Sequence, residues 1–511
     1  MQDMMLIGID VGTTHIKAGL FHENGDIYSY AFRSNPARLE EEGAYFYDPE
    51  EIYHLVCSVI SEVASGTDPR SIEAIGIASM AETGLLVEKE TGYHRSPFIP
   101  WFDTTADSEV SSISNSFPPD EQFKRTGIRP SFKCALAKVL RLKTQNEHIL
   151  ENAIWLGVAD YIASRLSGCV KTDYSLAGRT HAFRINEKVW DTKILEIHGL
   201  NASMFPPAFP SGSVVGFLLE TSAKEMGLLP GIPISISGHD HVCATFGVRV
   251  SMGDKFSELI VDSMGTAEAL TGSINERILG NQEHDSGFSY GCDVRPGRFY
   301  WMGGLSASGA SVEWFRKIMG DFAATYKSVE NLLAEADEKP TGIIYFPYLS
   351  GSGAPHSNTN VRAAFLGLDI RHSQKDILKA VLEGTAYEIE FIRRRAAHSL
   401  KVNVDEIAVV GGGTKNRNWL QIKADVFGCP LLIPDIREAT ILGAALLAAL
   451  GSGIYKSEND MLGKVKPVNW WTIYPDEARH KIFNEIYEQK YLRFQDAVRG
   501  INWVEGNDVS F

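Results

Sequence analysis

The chain has 511 residues, 44% hydrophobic and 22% charged, with 46 glycines and 21 prolines; it is too long for one ordinary domain, and its composition excludes disorder, collagen and a disulfide scaffold. Lys plus Arg number 49 against 64 Asp plus Glu, a net charge of -15, which argues against a nucleic-acid partner, whose phosphates require a basic surface, and against an anionic membrane. The six cysteines, Cys57, Cys134, Cys169, Cys243, Cys292 and Cys429, form no CxxC pair and read as reduced, buried thiols of a cytoplasmic protein.

Met1–Met5 carries no basic run and leads into a strand, so no signal peptide is expected. Leu6–Asp10 is apolar and β-branched and ends at Val11-Gly12-Thr13-Thr14. A second strand follows, then the hairpin turn Asn24-Gly25 and a third strand over Ile27–Phe32. Asp48-Pro49-Glu50-Glu51 opens a helix with an Asp cap, Pro at the first position and acids in the first turn. Ile72–Ser79 is a further buried strand, and the alternation continues, giving an α/β class. The longest apolar region, Ile441–Leu450, is about half a membrane span and reads as a buried helix.

The segment Glu258–Ala267 repeats the shape of Ile7–Thr14: an apolar strand, an Asp, then Gly-Thr. The spacing is about half the chain, so two domains of one design are expected, each opening on a phosphate-sized turn. The boundary is expected near Phe246–Asp254, dividing residues 1–248 from 249–511, with Gly247–Gly253 as a hinge. The tail from about Lys456, with Trp470-Trp471, reads as an extension packed onto the second domain.

Gly12-Thr13-Thr14 offers consecutive backbone amides and two hydroxyls in a tight turn, which suits a phosphate. Asp10 at the strand end could hold Mg²⁺ there, or the turn is a plain hairpin with an Asx hydrogen bond. No GxxxxGK[ST] motif occurs, which disfavours a Walker-type NTPase. Ile232–Ser237 is a strand, followed by Gly238-His239-Asp240-His241 and a helix from Val242. Three readings of that turn stay open: Asp240 caps the helix, the two histidines and Asp240 bind a transition metal, or Asp240 is a general base. Val409–Asn416 is a strand entering a glycine run, against whose backbone a flat purine fits. Glu82 and Trp101-Phe102-Asp103 offer acceptors for vicinal hydroxyls and an aromatic face for a sugar.

Together these residues resemble the FGGY carbohydrate kinases of the actin/Hsp70/hexokinase superfamily, over nearly the whole chain. The resemblance rests on Asp10-x-Gly-Thr-Thr, Trp101-Phe102-Asp103, Asp160-Tyr161-Ile162, Thr172-Asp173-Tyr174-Ser175, Gly238-His239-Asp240, Gly265-Thr266 and Gly411–Gly413 with Ala424-Asp425. Its most specific stretch is Ala363–Leu368, seven residues, then Asp376–Glu383, the family's second signature; in the first signature, Lys138-Val139-Leu140 is followed by Arg141 where tryptophan is usual. The resemblance implies two ribonuclease-H-like (actin-like ATPase) domains flanking a catalytic cleft, ATP with Mg²⁺ as cofactors, and phosphoryl transfer to a sugar hydroxyl. It implies Asp240 as base and Asp10 at the metal. It sets Thr13, Thr14, Gly265 and Thr266 at the phosphates, and Gly309, Glu313, Gly412, Gly413 and Arg417 around the nucleoside. Glu82, Trp101, Asp103 and His241 face the sugar.

The substrate is expected to be a ketose such as D-xylulose, with fuculose, rhamnulose, gluconate and glycerol as alternatives. Met80-Ala81-Glu82-Thr83 keeps the Glu-Thr of glycerol kinases but has Ala81 where they carry arginine. An ATP-binding scaffold of the actin or Hsp70 kind and a silent sugar sensor are the rivals. A homodimer is compatible with the sequence.

Overall fold

The computed structural model describes residues 4–40, 43–253, 256, 258–320 and 325–501. The first half opens with β1 (Met5–Val11), β2 (His15–His22) and β3 (Ile27–Ser34). Helix α1 (Pro49–Ala64) follows, and its start is set locally: Asp48 Oδ1 accepts from the amides of Glu50 and Glu51, and Pro49 occupies the first turn. Its buried stripe, Ile52, Val56, Val59, Ile60 and Val63, covers one face of the sheet. β4 (Ile72–Ser79), β5 (Val214–Phe217), β6 (Pro233–His239) and helix α2 (Asp240–Met252) complete this half.

The second half contains β7 (Ile260–Met264), β8 (Glu268–Asn275), β9 (Ser289–Cys292), β10 (Arg298–Leu305) and helix α3 (Gly309–Met319). After these come the long helix α4 (Gln374–Leu400), β11 (Ile407–Val410), α5 (Arg417–Phe427), β12 (Leu431–Pro434), α6 (Ala439–Gly451) and β13 (Trp470–Ile473).

The first sheet runs β5-β6-β4-β1-β2-β3 and the second β9-β10-β8-β7-β11-β12-β13. In each, an antiparallel hairpin (β1–β2, β7–β8) extends to a third antiparallel strand. On the other side two parallel strands follow, closed by an antiparallel edge. The repeat in the sequence is thus a repeat of sheet order.

Helix α6 joins the halves. It is buried along nearly its whole length, as the apolar run implies. It comes from the second half but lies on the first sheet and on α2. Glycine makes this approach feasible: a Cβ at Gly8 would overlap the Ile441 carbonyl oxygen, and one at Gly76 that of Ala444. Gly247 belongs to the same interface. It lies inside α2, where a Cβ would collide with Ala439 O, so it is a packing glycine rather than a hinge, and Phe246–Met252 is helix rather than linker. Asp254 lies outside the described residues. The tail touches both halves: β13 edges the second sheet, while Tyr455 OH donates to Glu23 O and Lys466 N to Asn24 O at 2.8 Å, on the first hairpin. Among the described residues no helix is long and apolar enough to cross a membrane.

Candidate active site

The first hairpin is closed by Gly12 N donating to His15 O at 3.0 Å. Its carbonyls are held from behind: Asn35 Nδ2 donates to Gly12 O (2.9 Å), Asn35 N to Thr14 O (2.8 Å) and Tyr47 OH to Thr13 O (2.8 Å). These bonds fix the loop while Thr14 stays exposed. Asp10, at the end of β1, sits across the ladder from Lys17. Lys17 Nζ bonds Glu438 Oε2 instead, at 2.9 Å, just before α6. Burial pushes the Asp10 carboxyl up; Lys17 pulls it back, and Asp240 and Glu438 add to the rise. Its Oδ1 is buried without a hydrogen-bond partner. An orphaned carboxylate oxygen beside further acids is the donor chemistry of a hard divalent cation, so Asp10 fits Mg²⁺.

Asp240 is the first residue of α2, and β6 runs on through Gly238 and His239 rather than ending at Ser237. The turn requires glycine: Gly238 has φ +122°, and a Cβ there would press on Ser175 Oγ and Asp173 Oδ2. Asp173 takes the amides of Ser175 and Leu176, and Ser175 Oγ accepts His239 N at 2.9 Å. The Thr172–Ser175 motif therefore holds the turn that presents Asp240. Asp240 Oδ1 accepts from His241 N at 2.7 Å and lies 3.2 Å from His239 Nε2. Burial alone would raise its pKa, but His241 and His239 outweigh burial and hold it below the usual carboxylate range. Asp240 is thus an ionised acceptor, while the neighbouring Asp10 is driven the other way.

Glu82 follows β4 at φ +66°, a strained conformation for a residue with a Cβ. Lys138 Nζ donates to Glu82 O at 2.5 Å in that conformation. Burial brings the Lys138 amine down to about 7. Glu82 Oε1 accepts from Arg179 Nε at 3.1 Å and from Arg179 Nη2. Burial pushes the Glu82 carboxyl up, but Arg179, Lys133, His239 and Lys138 overcome that and hold it down. Trp101 Nε1 donates to Thr13 Oγ1 at 2.9 Å, and Lys133 Nζ lies 5.1 Å over its ring. The His239 and His241 rings are 5.5 Å apart, and burial lowers the His241 pKa. Asp103 is different. It is 1% exposed, and its oxygens take Tyr45 N (2.7 Å), Thr105 N (3.0 Å) and Thr105 Oγ1. It closes the turn that carries Trp101 and has no open face.

In the second half Gly265 and Thr266 are exposed. Their carbonyls accept the first amides of α3: Gly309 N to Gly265 O at 3.0 Å and Ala310 N to Thr266 O at 3.1 Å. A Cβ at Gly309 would come 2.6 Å from Gly265 O, which is why glycine stands there. Gly411, at φ +97°, and Gly413 pack on Met264, the residue before this hairpin, while Gly412 meets nothing within 4 Å. Gly265, Thr266, Gly309, Gly412 and Gly413 thus gather at the end of β7. Arg417 opens α5 and stacks on Trp471 at 4.9 Å; Glu313, within α3, pairs with Arg316. Asp262, the counterpart of Asp10 in the repeat, is not available to a ligand: it is buried with Glu268 and Lys423, whose Nζ lies 2.5 Å from Asp262 Oδ2.

Sequence reasoning missed Lys133, Arg179 and the supporting role of Lys138. Lys138 stood in the noted signature; Lys133 and Arg179 carry no local pattern and are brought to Glu82 by the fold.

Two sheets that share one six-strand order, the second with β9 added at its edge, each with a Gly-Thr hairpin, and a carboxylate at a strand-to-helix turn, define the actin-like ATPase fold. The sequence models of the FGGY family of carbohydrate kinases match this chain, the N-terminal domain over residues 5–247 and the C-terminal domain over 263–452. The chain belongs to that family, and its members are sugar phosphotransferases that use ATP, generally with Mg²⁺. It is 28% identical over 462 residues to a xylulose kinase of Bacillus subtilis strain 168, covering 88% of this chain and 89% of that protein. It is 27% identical over 518 residues to a glycerol kinase of Saccharolobus islandicus strain M.14.25, covering 99% and 98%. The crystal structure of a gluconate kinase from Lactobacillus acidophilus superposes with a TM-score of 0.87 at 21% identity, covering 98% of this chain and 99% of that one.

Proposed function

We propose that this kinase transfers the γ-phosphoryl group of ATP to a hydroxyl of a ketose, with D-xylulose the first choice among ketoses. The observation that carries the reading is Asp240: an ionised carboxylate on the first residue of a helix, fixed by a turn that demands Gly238. A sugar hydroxyl is a weak nucleophile and must lose its proton as the new bond forms. Asp240 accepts that proton, and the helix start and the two histidines keep the carboxylate charged until then. Glu82 and Trp101 line the sugar pocket, with His241 beside the base; Asp103 acts through Trp101 by closing its turn. Thr13 and Thr14 on one domain (1–248) and Gly265 and Thr266 on the other (249–511) donate amides to the phosphates. Gly309, Glu313, Gly412, Gly413 and Arg417 surround the nucleoside, and Gly412 offers a flat, open backbone. Asp10 holds Mg²⁺, which when bound offsets phosphate charge.

A scaffold working by assembly has no need of a pocket that sets Trp101, Lys133 and Arg179 around the strained Glu82. The test is ADP release from ATP over a panel of ketoses, deoxyketoses, gluconate and glycerol. Sugar-dependent release fastest with a ketose is expected. Release without any sugar dependence, or fastest with glycerol, overturns the reading.

A further inference from the structure

The pocket around Glu82 holds hydrogen-bonding groups that the protein itself does not use. Arg179 directs Nε and Nη2 at one oxygen of Glu82, Oε1, and its Nη1 is buried without a partner. The other oxygen, Oε2, takes no hydrogen bond among the described residues. Lys133 Nζ lies 5.1 Å above the Trp101 indole and is close enough to Glu82 for each to act on the other's charge. It forms no ion pair and donates no hydrogen bond among the described residues. Lys133 is half-buried, with its ammonium over an aromatic face and near Glu82, so its N–H donors are open to a ligand. Nothing in the fold requires a cation there, since the stem could end in an apolar group against Trp101.

We infer that Lys133 is a substrate-binding residue that donates to an acceptor oxygen on the carbon next to a hydroxyl held by Glu82, so that the pocket selects α-hydroxycarbonyl compounds. The motif has a donor and an acceptor on adjacent carbons, matching the free Oε2 of Glu82 and the free Nζ of Lys133. A 2-ketose presents it as C1–OH beside the C2 carbonyl, and an aldonate as C2–OH beside the carboxylate. Glycerol and pentitols present a hydroxyl there instead; its oxygen can accept from Lys133, but it brings a second proton that needs an acceptor besides Glu82 Oε2, so the fit is poorer. Arg179, held by Glu82, is a positioning residue that keeps the carboxylate turned toward the hydroxyl. The inference deepens the ketose reading and rests on Glu82 lining the sugar pocket.

Equilibrium binding without nucleotide tests it, with D-xylulose, D-gluconate, xylitol and glycerol on the wild type, Lys133→Met and Lys133→Arg. A hydrogen bond from a charged donor corresponds to roughly 10- to 100-fold in affinity. The wild type is expected to prefer xylulose or gluconate over xylitol by about that factor. In Lys133→Met the preference should fall to near one, through weaker binding of the acceptor-bearing ligand, with xylitol unchanged. Lys133→Arg should restore part of it. The ligand whose affinity falls names the source of the oxygen, carbonyl or carboxylate. Equal binding of xylulose, gluconate and xylitol by the wild type overturns the inference, as does a Lys133→Met variant with the preference intact. A lowered melting temperature in Lys133→Met also overturns it, because it would show that the ammonium serves the fold. Because no turnover is read, the result stands apart from the ADP-release panel: absence of phosphorylation sinks the ketose-kinase reading, and an unchanged preference sinks this one.

Discussion

The Trp101 indole donates to Thr13 Oγ1 across 2.9 Å, so the aromatic wall proposed for the sugar and the hairpin proposed for the phosphates are one hydrogen-bonded unit. Occupying one side should therefore be felt on the other. Thr13→Val removes that bond while keeping shape, and Trp101→Phe removes it while keeping an aromatic face. Affinity for a non-hydrolysable ATP analogue, measured with and without sugar, should show cooperativity in the wild type that each variant weakens. The double variant should add little, with an interaction energy of about 0.5–3 kcal/mol. Strict additivity would show that the bond couples nothing.

Asp240→Asn keeps size and the hydrogen bond to His241 N but removes the charge. The expected kcat falls by about 10²–10⁴-fold, with ATP affinity retained. A helix start tolerates asparagine as well as aspartate, so near-normal turnover would mean that Asp240 serves only the fold.

Gly309→Ala tests the second hairpin. Its Cβ would sit 2.6 Å from Gly265 O, and the hairpin must move off the start of α3. A displacement on the order of 1 Å at a positioning element costs up to about 100-fold, here expected in kcat/KM for ATP, with sugar affinity unchanged. Normal ATP kinetics would remove this hairpin from the phosphate site.

Lys423→Met strips the buried Asp262 and Glu268 of their shared cation. Breaking a buried charge cluster in this way costs about 3–5 kcal/mol. With Lys423 gone, the burial that already raises the Glu268 pKa is no longer opposed by the lysine, so Glu268 is held protonated in the folded state and its folded pKa stands above the unfolded one. Stability is then lost as pH rises past the ordinary carboxylate range, about 4. Thermal melts across pH should show Lys423→Met weakening toward alkaline pH more steeply than the wild type, and Glu268→Gln added to it should flatten the slope. Parallel curves would contradict this.

His181 gives the opposite sign. It is fully buried, with Nε2 3.0 Å from Gln122 Oε1, and burial brings its pKa down to about 4. The unfolded chain, with an ordinary value near 6.5, binds the proton more readily. The stabilisation is complete above that value and is lost as pH falls toward the folded pKa, by up to about 3 kcal/mol. His181→Asn, which tolerates the φ of +62°, should lose less melting temperature between neutral and acid pH than the wild type. An identical acid slope would show that another group controls it.

Much of the fold was written locally. Asp48-Pro49 starts α1 where the residues specify, Ile72–Ser79 is a strand end to end, and the apolar Ile441–Leu450 lies inside a buried helix. These signals are legible because caps, turns and apolar periodicity act over a few residues. The repeat of a strand and Gly-Thr was equally readable, and it became a repeat of sheet order. The place where the strand of Asp240 ends was not: Ser175 and Asp173, more than sixty positions upstream, extend it to His239.

The residues that specify chemistry divide in the same way. The sequence by itself singled out the two hairpins, Asp240, Glu82 and the glycine run as candidates, because each sits where a phosphate, proton, hydroxyl or flat ring could be met. Only the tertiary structure decided the rest. It separated Asp10 from Asp262, alike in the repeat and each with one orphaned oxygen, by pairing Asp262 with the buried Lys423. It turned Asp103 into a turn brace, made Gly247 a contact for α6, and brought Lys133 and Arg179 to Glu82. A local sequence sets what a side chain can donate or accept. Its partner, and with it whether the group is charged, depends on residues that only packing brings within reach.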